Sequence, residues 1–148
     1  MVRLALYLQL PQPGLEEPSF MKAPETDLGP LILVVDDDQA MRASLTFSLK
    51  AEGFRVRAYS VATELLADPD SRAGACLVID YRLPGMNGLD LLTELRRRRM
   101  AQPALIITTQ PQRAVSERAR LMGATIIEKP LLTEALFEEI RRTLPGNS

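Results

Sequence analysis

Residues 31–38, "LILVVDDD", run five apolar residues straight into three aspartates. A short apolar run of this kind reads as a strand buried on both faces, the type found inside parallel sheets. At its end Asp36, Asp37 and Asp38 stand side by side, and each carboxylate raises the cost of ionising its neighbours. That repulsion calls for a positive partner.

The pattern repeats outward from this strand. Met41, Leu45 and Leu49 recur every four residues, as one face of a helix does, and Gly53 stops it. "RVRAY" alternates like a strand, and "SVATELLAD" reads as a short helix with Ser60 as its N-cap. "ACLVID" is a second buried strand that ends in an acid. "LPGMNG" is turn chemistry, and "LDLLTELRRRR" is a helix with Leu92 and Leu95 inward. "ALIITT" is a fourth strand, and "QRAVSERARLMGA" a helix presenting Val115, Ala119 and Met122. "TIIE" is a fifth strand, and "LTEALFEEIRRTL" a last helix with Leu132, Leu136, Ile140 and Leu144 aligned. Five strands alternating with five helices make βα units, hence an α/β domain with a mostly parallel sheet and helices on both faces.

Before this domain, residues 1–29 differ in character. "MVRLALYLQL" is briefly apolar, and the stretch after it is rich in proline with little periodicity, which predicts a flexible arm. A signal peptide is the rival reading, against which stand the short run, the proline after it and the lack of an A-x-A-like site. Met21 is an alternative start. The expected organisation is therefore an arm over 1–29, one domain over 30–144 and a tail over 145–148.

Composition narrows the chemistry. The net charge of −1 provides no overall field for nucleic acid or anionic membrane, so neither direct DNA binding nor membrane association is expected. No apolar run approaches the roughly 18 residues of a membrane span. The single Cys76 rules out an internal disulfide framework, fits a reducing, cytoplasmic setting, and reads as a buried small hydrophobe. The absence of histidine removes Ser-His catalysis, His-ligated zinc and a phosphohistidine on this chain. Arg96–Arg99, at the end of a helix where cations complement the dipole, read as a solvated face. The two glycines of "LPGMNG" have the wrong spacing for a dinucleotide loop.

In open parallel sheets, ligands sit beyond the carboxyl ends of the strands. Those ends carry Asp36 and Asp37, then Asp80, then Thr108 and Thr109, then Glu128 and Lys129. Singly, each has an ordinary reading: Asp38 as a helix N-cap, Thr108 as a β-branched strand residue, Lys129 as a solvated cation. Together, three carboxylates at one edge suit a hard divalent cation such as Mg²⁺. Lys129 is one of only 3 lysines against 15 arginines, a compact charge fit to stand beside a phosphate. Phosphoryl transfer needs these parts, with Asp80 as nucleophile and Asp36 and Asp37 as the paired metal holder.

At this point the sequence resembles the receiver domain of two-component response regulators, most closely those of the FixJ type. The resemblance covers about residues 30–144 and rests on "LVVDDD", "LVIDYRLPGMNGLDLL", "PALIITT" and "GATIIEKP", in that order. Asp37 to Asp80 is 43 residues, Asp80 to Thr108 is 28 and Thr108 to Lys129 is 21. The resemblance implies a doubly wound, flavodoxin-like sheet of order 2-1-3-4-5. It also implies that Asp80 accepts a phosphoryl group from a phosphohistidine on a histidine kinase or phosphotransfer protein. Asp37 and Asp80 would ligate Mg²⁺, or Mn²⁺ in its place, with Asp36 acting through water and the backbone carbonyl of Arg82 completing the protein ligands. Lys129 would pair with the phosphoryl group, Thr108 would turn its hydroxyl toward it, and the Lys129–Pro130 bond would be cis. The chain would not be an enzyme in the ordinary sense, though it would catalyse its own phosphorylation and dephosphorylation. It would signal to a downstream protein, with the fourth helix, fifth strand and fifth helix as the partner or homodimer face. Relatives of the FixJ type usually continue into a helix-turn-helix output domain. Here the sequence stops at Ser148, so a stand-alone receiver is expected.

Three departures accompany the resemblance. Ile126 lies where the family usually places a tyrosine or phenylalanine, the segment Gly123–Lys129 is one residue shorter than usual, and no aromatic occurs between Tyr81 and Phe137. A receiver that binds protein partners without phosphorylation is therefore a second expectation. An aspartate-based phosphatase, a third, normally places a second aspartate two residues after the first, where this sequence has Arg82. Arg82 and Thr109 add bulk at the mouth of the expected pocket, which predicts restricted water access and a longer phosphoryl lifetime.

Overall fold

A computed structural model describes residues 29–145; the arm up to residue 28 and the tail beyond 145 lie outside the described residues. Five strands pair in parallel: β1 (Leu31–Val35), β2 (Arg55–Tyr59), β3 (Cys76–Asp80), β4 (Ala104–Thr108) and β5 (Ala124–Glu128). Their spatial order is β2-β1-β3-β4-β5, the doubly wound order expected. The helices are α1 (Gln39–Ala51), α2 (Ala62–Ala67), α3 (Gly88–Arg97), α4 (Arg113–Leu121) and α5 (Thr133–Thr143).

Side chains alternate across a strand, so each central strand feeds two cores. Leu31, Leu33 and Val35 pack with Leu65 of α2, with Leu89, Leu91, Leu92 and Leu95 of α3, and with Ala119 of α4. Ile32 and Val34 face the other way, onto Leu45 and Leu49 of α1 and Leu136, Phe137 and Ile140 of α5. Burial on both faces accounts for the unbroken apolar runs of β1, β3 and β4, all of whose residues are buried. Strand β2, at an edge, is largely exposed.

Local chemistry sets the boundaries. Asp38 caps α1, its Oδ1 accepting from the N–H of Ala40 at 3.0 Å and of Met41 at 3.2 Å. Asn87 caps α3 by accepting from Asp90 N–H at 2.8 Å. The cap expected of Ser60 is not made. Helix α2 starts at Ala62, and Glu64 reaches back instead, accepting from Ser60 N–H at 2.7 Å and Ser60 Oγ at 2.9 Å. The Glu64 carboxylate accepts from both groups at once and so engages the Ser60 hydroxyl as a donor. A 3-10 turn, Pro69–Ala73, precedes β3, with proline at its start and Asp68 accepting from Asp70 N–H at 2.9 Å.

Two further expectations are corrected. Leu132 does not join the buried face of α5: it precedes the helix and is 69% exposed, while Phe137 takes a place in the core. Arg96 is no solvated charge, because its guanidinium donates to the carbonyls of Met122 at 3.2 Å and Met100 at 2.7 Å, fastening α3 to the end of α4. Arg97 and Arg98 both pair with Glu94. Arg118 of α4 adds a bridge to α3 through Asp90 at 3.1 Å and Thr93 at 3.0 Å. Cys76 is buried as expected, and burial pushes its thiol up to about 11.

Truncation should separate the two kinds of apolar residue. Leu33→Ala, at a fully buried site, should cost about 2–5 kcal/mol. Phe47→Ala on α1, at a side chain 76% exposed, should change stability by less than about 0.5 kcal/mol. Urea unfolding midpoints measure both, and similar losses would contradict this core assignment.

Candidate functional site

Four strand ends meet at the carboxyl edge of the sheet, where the connections from β1 and β3 diverge to opposite sides of the strand order. Asp36 and Asp37 follow β1 directly, Asp80 ends β3, Thr108 ends β4, and Lys129 follows β5. The structure gathers the acids: Asp36, Asp37 and Asp80 each offer a carboxylate oxygen, all within 4.8 Å of one another. Lys129 Nζ stands 3.5 Å from Asp80 Oδ1. Thr108 is buried beside them, and its carbonyl accepts from Lys129 N–H at 2.8 Å.

Burial differs among the acids. Asp36 is 3% exposed and Asp80 6%, whereas Asp37 is open to solvent. Desolvation pushes the carboxyls of Asp36 and Asp80 above the ordinary aspartate range, because burial penalises the charged form. For Asp36 the Asp38 N–H, donating to its Oδ1 at 2.9 Å, works in the opposite direction. For Asp80 the Lys129 ammonium is the main opposing influence, followed by the backbone N–H of Arg82. Two buried carboxylates beside a third thus have one ammonium to offset them: Asp80 and Asp37 raise the cost of ionising Asp36, and Asp37 that of ionising Asp80.

Three hard oxygen donors with a surplus of negative charge fit a small divalent cation, and the set holds no soft ligand that would favour another metal. Arg82 lies two residues beyond Asp80, with its side chain exposed. Thr109 is exposed as well, so both expected mouth residues face solvent. The Lys129–Pro130 bond is cis.

The loop after β3 closes tightly over Asp80. Gly88 N–H donates to Tyr81 carbonyl at 2.8 Å, and a Cβ on Gly88 would stand 2.6 Å from the Asp80 carbonyl oxygen. Glycine is therefore required for α3 to start against the end of β3. In the sequence, Gly88 reads only as part of the turn "LPGMNG".

A family model for the response regulator receiver domain matches residues 32–141. The chain belongs to the response regulator receiver family. Nodulation protein W of Bradyrhizobium diazoefficiens is 36% identical over 111 residues, covering 74% of this chain and 49% of that protein. The transcriptional regulatory protein FixJ of Rhizobium meliloti is 37% identical over 111 residues, covering 74% and 54%. The chain thus spans about half the length of these relatives. Among solved structures, a CheY-like receiver domain protein from Methanospirillum hungatei superposes with a TM-score of 0.72 at 30% identity, covering 77% of this chain and 92% of that one. The structure named FixJ-N gives 0.69 at 34% identity, with the same coverage. Phosphorylation on aspartate is generic to this receiver family, whose members generally bind Mg²⁺ at an acidic pocket and interact with histidine kinases or phosphotransfer proteins. Among the described residues, no helix is long and apolar enough to cross a membrane.

The electrostatic cost at the site makes a prediction for the metal-free receiver. In EDTA at pH 7, Asp80→Asn removes one buried charge and should raise stability by about 1 kcal/mol, the usual size of such gains. The folded carboxyl is raised above its unfolded value, so the penalty is present at neutral pH. It fades as pH falls through the folded value toward the ordinary range, where the wild-type acid becomes protonated. Thermal unfolding of both proteins between pH 7 and pH 4 measures this, and a variant less stable than wild type at pH 7 would contradict it.

Proposed function

We propose that this receiver is a phosphorylation-dependent signalling module in which Asp80 accepts a phosphoryl group from a phosphohistidine on a histidine kinase or phosphotransfer protein. The observation that carries the reading is the convergence of Asp36, Asp37 and Asp80 oxygens within 4.8 Å, with Lys129 Nζ 3.5 Å from Asp80 Oδ1. Asp80 supplies the nucleophilic oxygen, which bonds to phosphorus as the bond to the donor's leaving group breaks. Lys129 favours the ionised form of Asp80 before transfer and offsets charge on the phosphoryl oxygens during it. Thr108 supplies a hydroxyl from the neighbouring strand end. Asp36, Asp37 and Asp80, with the Arg82 carbonyl, would hold Mg²⁺, which supplies charge neutralisation for the transferring group. In this reading the receiver catalyses both its own phosphorylation and its own dephosphorylation, in the cytoplasm, and passes the signal on by protein contact.

Incubation with Mg²⁺ and acetyl phosphate should add the mass of one phosphoryl group, and the gain should vanish with EDTA or in Asp80→Asn. Intact-protein mass spectrometry reads the result. A chain that gains no mass and binds no Mg²⁺ would instead support a binding module that works without phosphorylation. That second reading draws on Ile126, which packs half-buried against the core where an aromatic switch residue is usual.

Arg82 and Thr109 flank the pocket and are proposed to slow the attack of water on the phosphorylated aspartate. The double variant Arg82→Ala, Thr109→Ala should lose its phosphoryl group faster than wild type. Equal or slower loss, followed by mass over time, would remove that role.

A further inference from the structure

We infer that Arg42 is a positioning residue for the divalent-cation site, acting through the peptide that joins Asp36 to Asp37. The inference rests on the metal-dependent reading above. Arg42 is the fourth residue of α1 and is half-buried. Its NH1 donates to the carbonyl of Asp36 at 2.8 Å. That carbonyl lies just past the point where the sheet ladder of β1 ends, at Val35 paired with Tyr59 and Ile79.

The rest of the loop is fixed around this contact. Asp36 N–H donates to Tyr59 carbonyl at 3.1 Å, Asp38 N–H to Asp36 Oδ1 at 2.9 Å, and Arg42 N–H to Asp38 carbonyl at 2.9 Å. The Asp36–Asp37 peptide carries one metal-facing carboxylate on each side. Asp37 is exposed, so its direction depends on the peptide from which it projects. A guanidinium on that peptide's oxygen holds both acids in register. Glu64, fastened to Ser60, lies near enough that Arg42 favours its ionised form, which offsets part of the guanidinium charge beside a cation site.

Charge and geometry predict opposite signs. A cation near a metal site repels the metal, so if Arg42 acted only by its charge, its removal would tighten binding. If it holds the peptide, removal weakens binding, and groups that support a ligand in this way typically contribute about 10- to 100-fold in metal affinity.

Mn²⁺ alone is the probe, titrated into wild type, Arg42→Met and Arg42→Lys and followed by the electron paramagnetic resonance of free Mn²⁺, with circular dichroism to establish folding. Arg42→Met should bind Mn²⁺ about tenfold more weakly than wild type. Arg42→Lys, which keeps the charge and one donor but loses the planar fork, should fall between, about threefold weaker. Unchanged or tighter binding by folded Arg42→Met overturns the inference. Should that variant not fold, wild-type affinity in Arg42→Lys overturns it and threefold weakening supports it. A wild-type chain that takes up no Mn²⁺ overturns the metal-dependent reading itself, and the role of Arg42 with it.

Discussion

Carboxylates held at the edge of an apolar sheet are the constraint around which this receiver is arranged. Asp36 and Asp80 sit at the ends of β1 and β3, strands whose remaining residues are aliphatic or cysteine and wholly buried. Placing charge there is costly, because water is largely removed and the third acid lies close. Lys129 offsets part of that cost from the next loop but one. Under the proposed function, a divalent cation would answer the surplus negative charge, and a phosphoryl group would restore negative charge once the metal is bound.

The surrounding fold keeps those groups from relaxing apart. The two cores lock β1 and β3 between helices on both faces. Gly88 lets α3 begin directly against Asp80, and Arg42 fastens the loop after β1 from the opposite helix layer. On the far side, Arg96 and Arg118 tie α4 to α3. Helix α4 also packs through Ala119 and Val115 into the core that holds β1 and β3, with Ile126 packed half-buried against the same cluster.

Much of this was legible in the sequence because the controlling signals are local. Strands buried on both faces must be short and apolar, so "LILVV", "CLVID" and "ALIIT" could be placed directly, while the edge strands were read from the alternation of "RVRAY" and the short apolar "TIIE", and the residues at the carboxyl ends marked the candidate site. What escaped was set by contacts distant in sequence or by competition between nearby groups. Ser60 does not cap α2 because its N–H and hydroxyl both donate to the carboxylate of Glu64, four residues on. Arg96 resembled its exposed neighbours, yet it meets the Met122 carbonyl only because α4 ends beside α3. Leu132 matched the helical spacing, but the chain is still extended there, before α5 begins. The bond from Arg42 to Asp36 had no signature beyond a basic residue in the first turns of a helix.

The central claim is that the native site carries unmet negative charge suited to a small divalent cation. Scanning calorimetry at fixed ionic strength, with MgCl₂ replaced stepwise for KCl, tests it directly, since a ligand that binds only the folded state raises the unfolding temperature with its concentration. The account predicts a rise of several degrees that grows with Mg²⁺ and is much reduced in Asp80→Asn. An unfolding temperature indifferent to Mg²⁺ in the wild-type chain would contradict it.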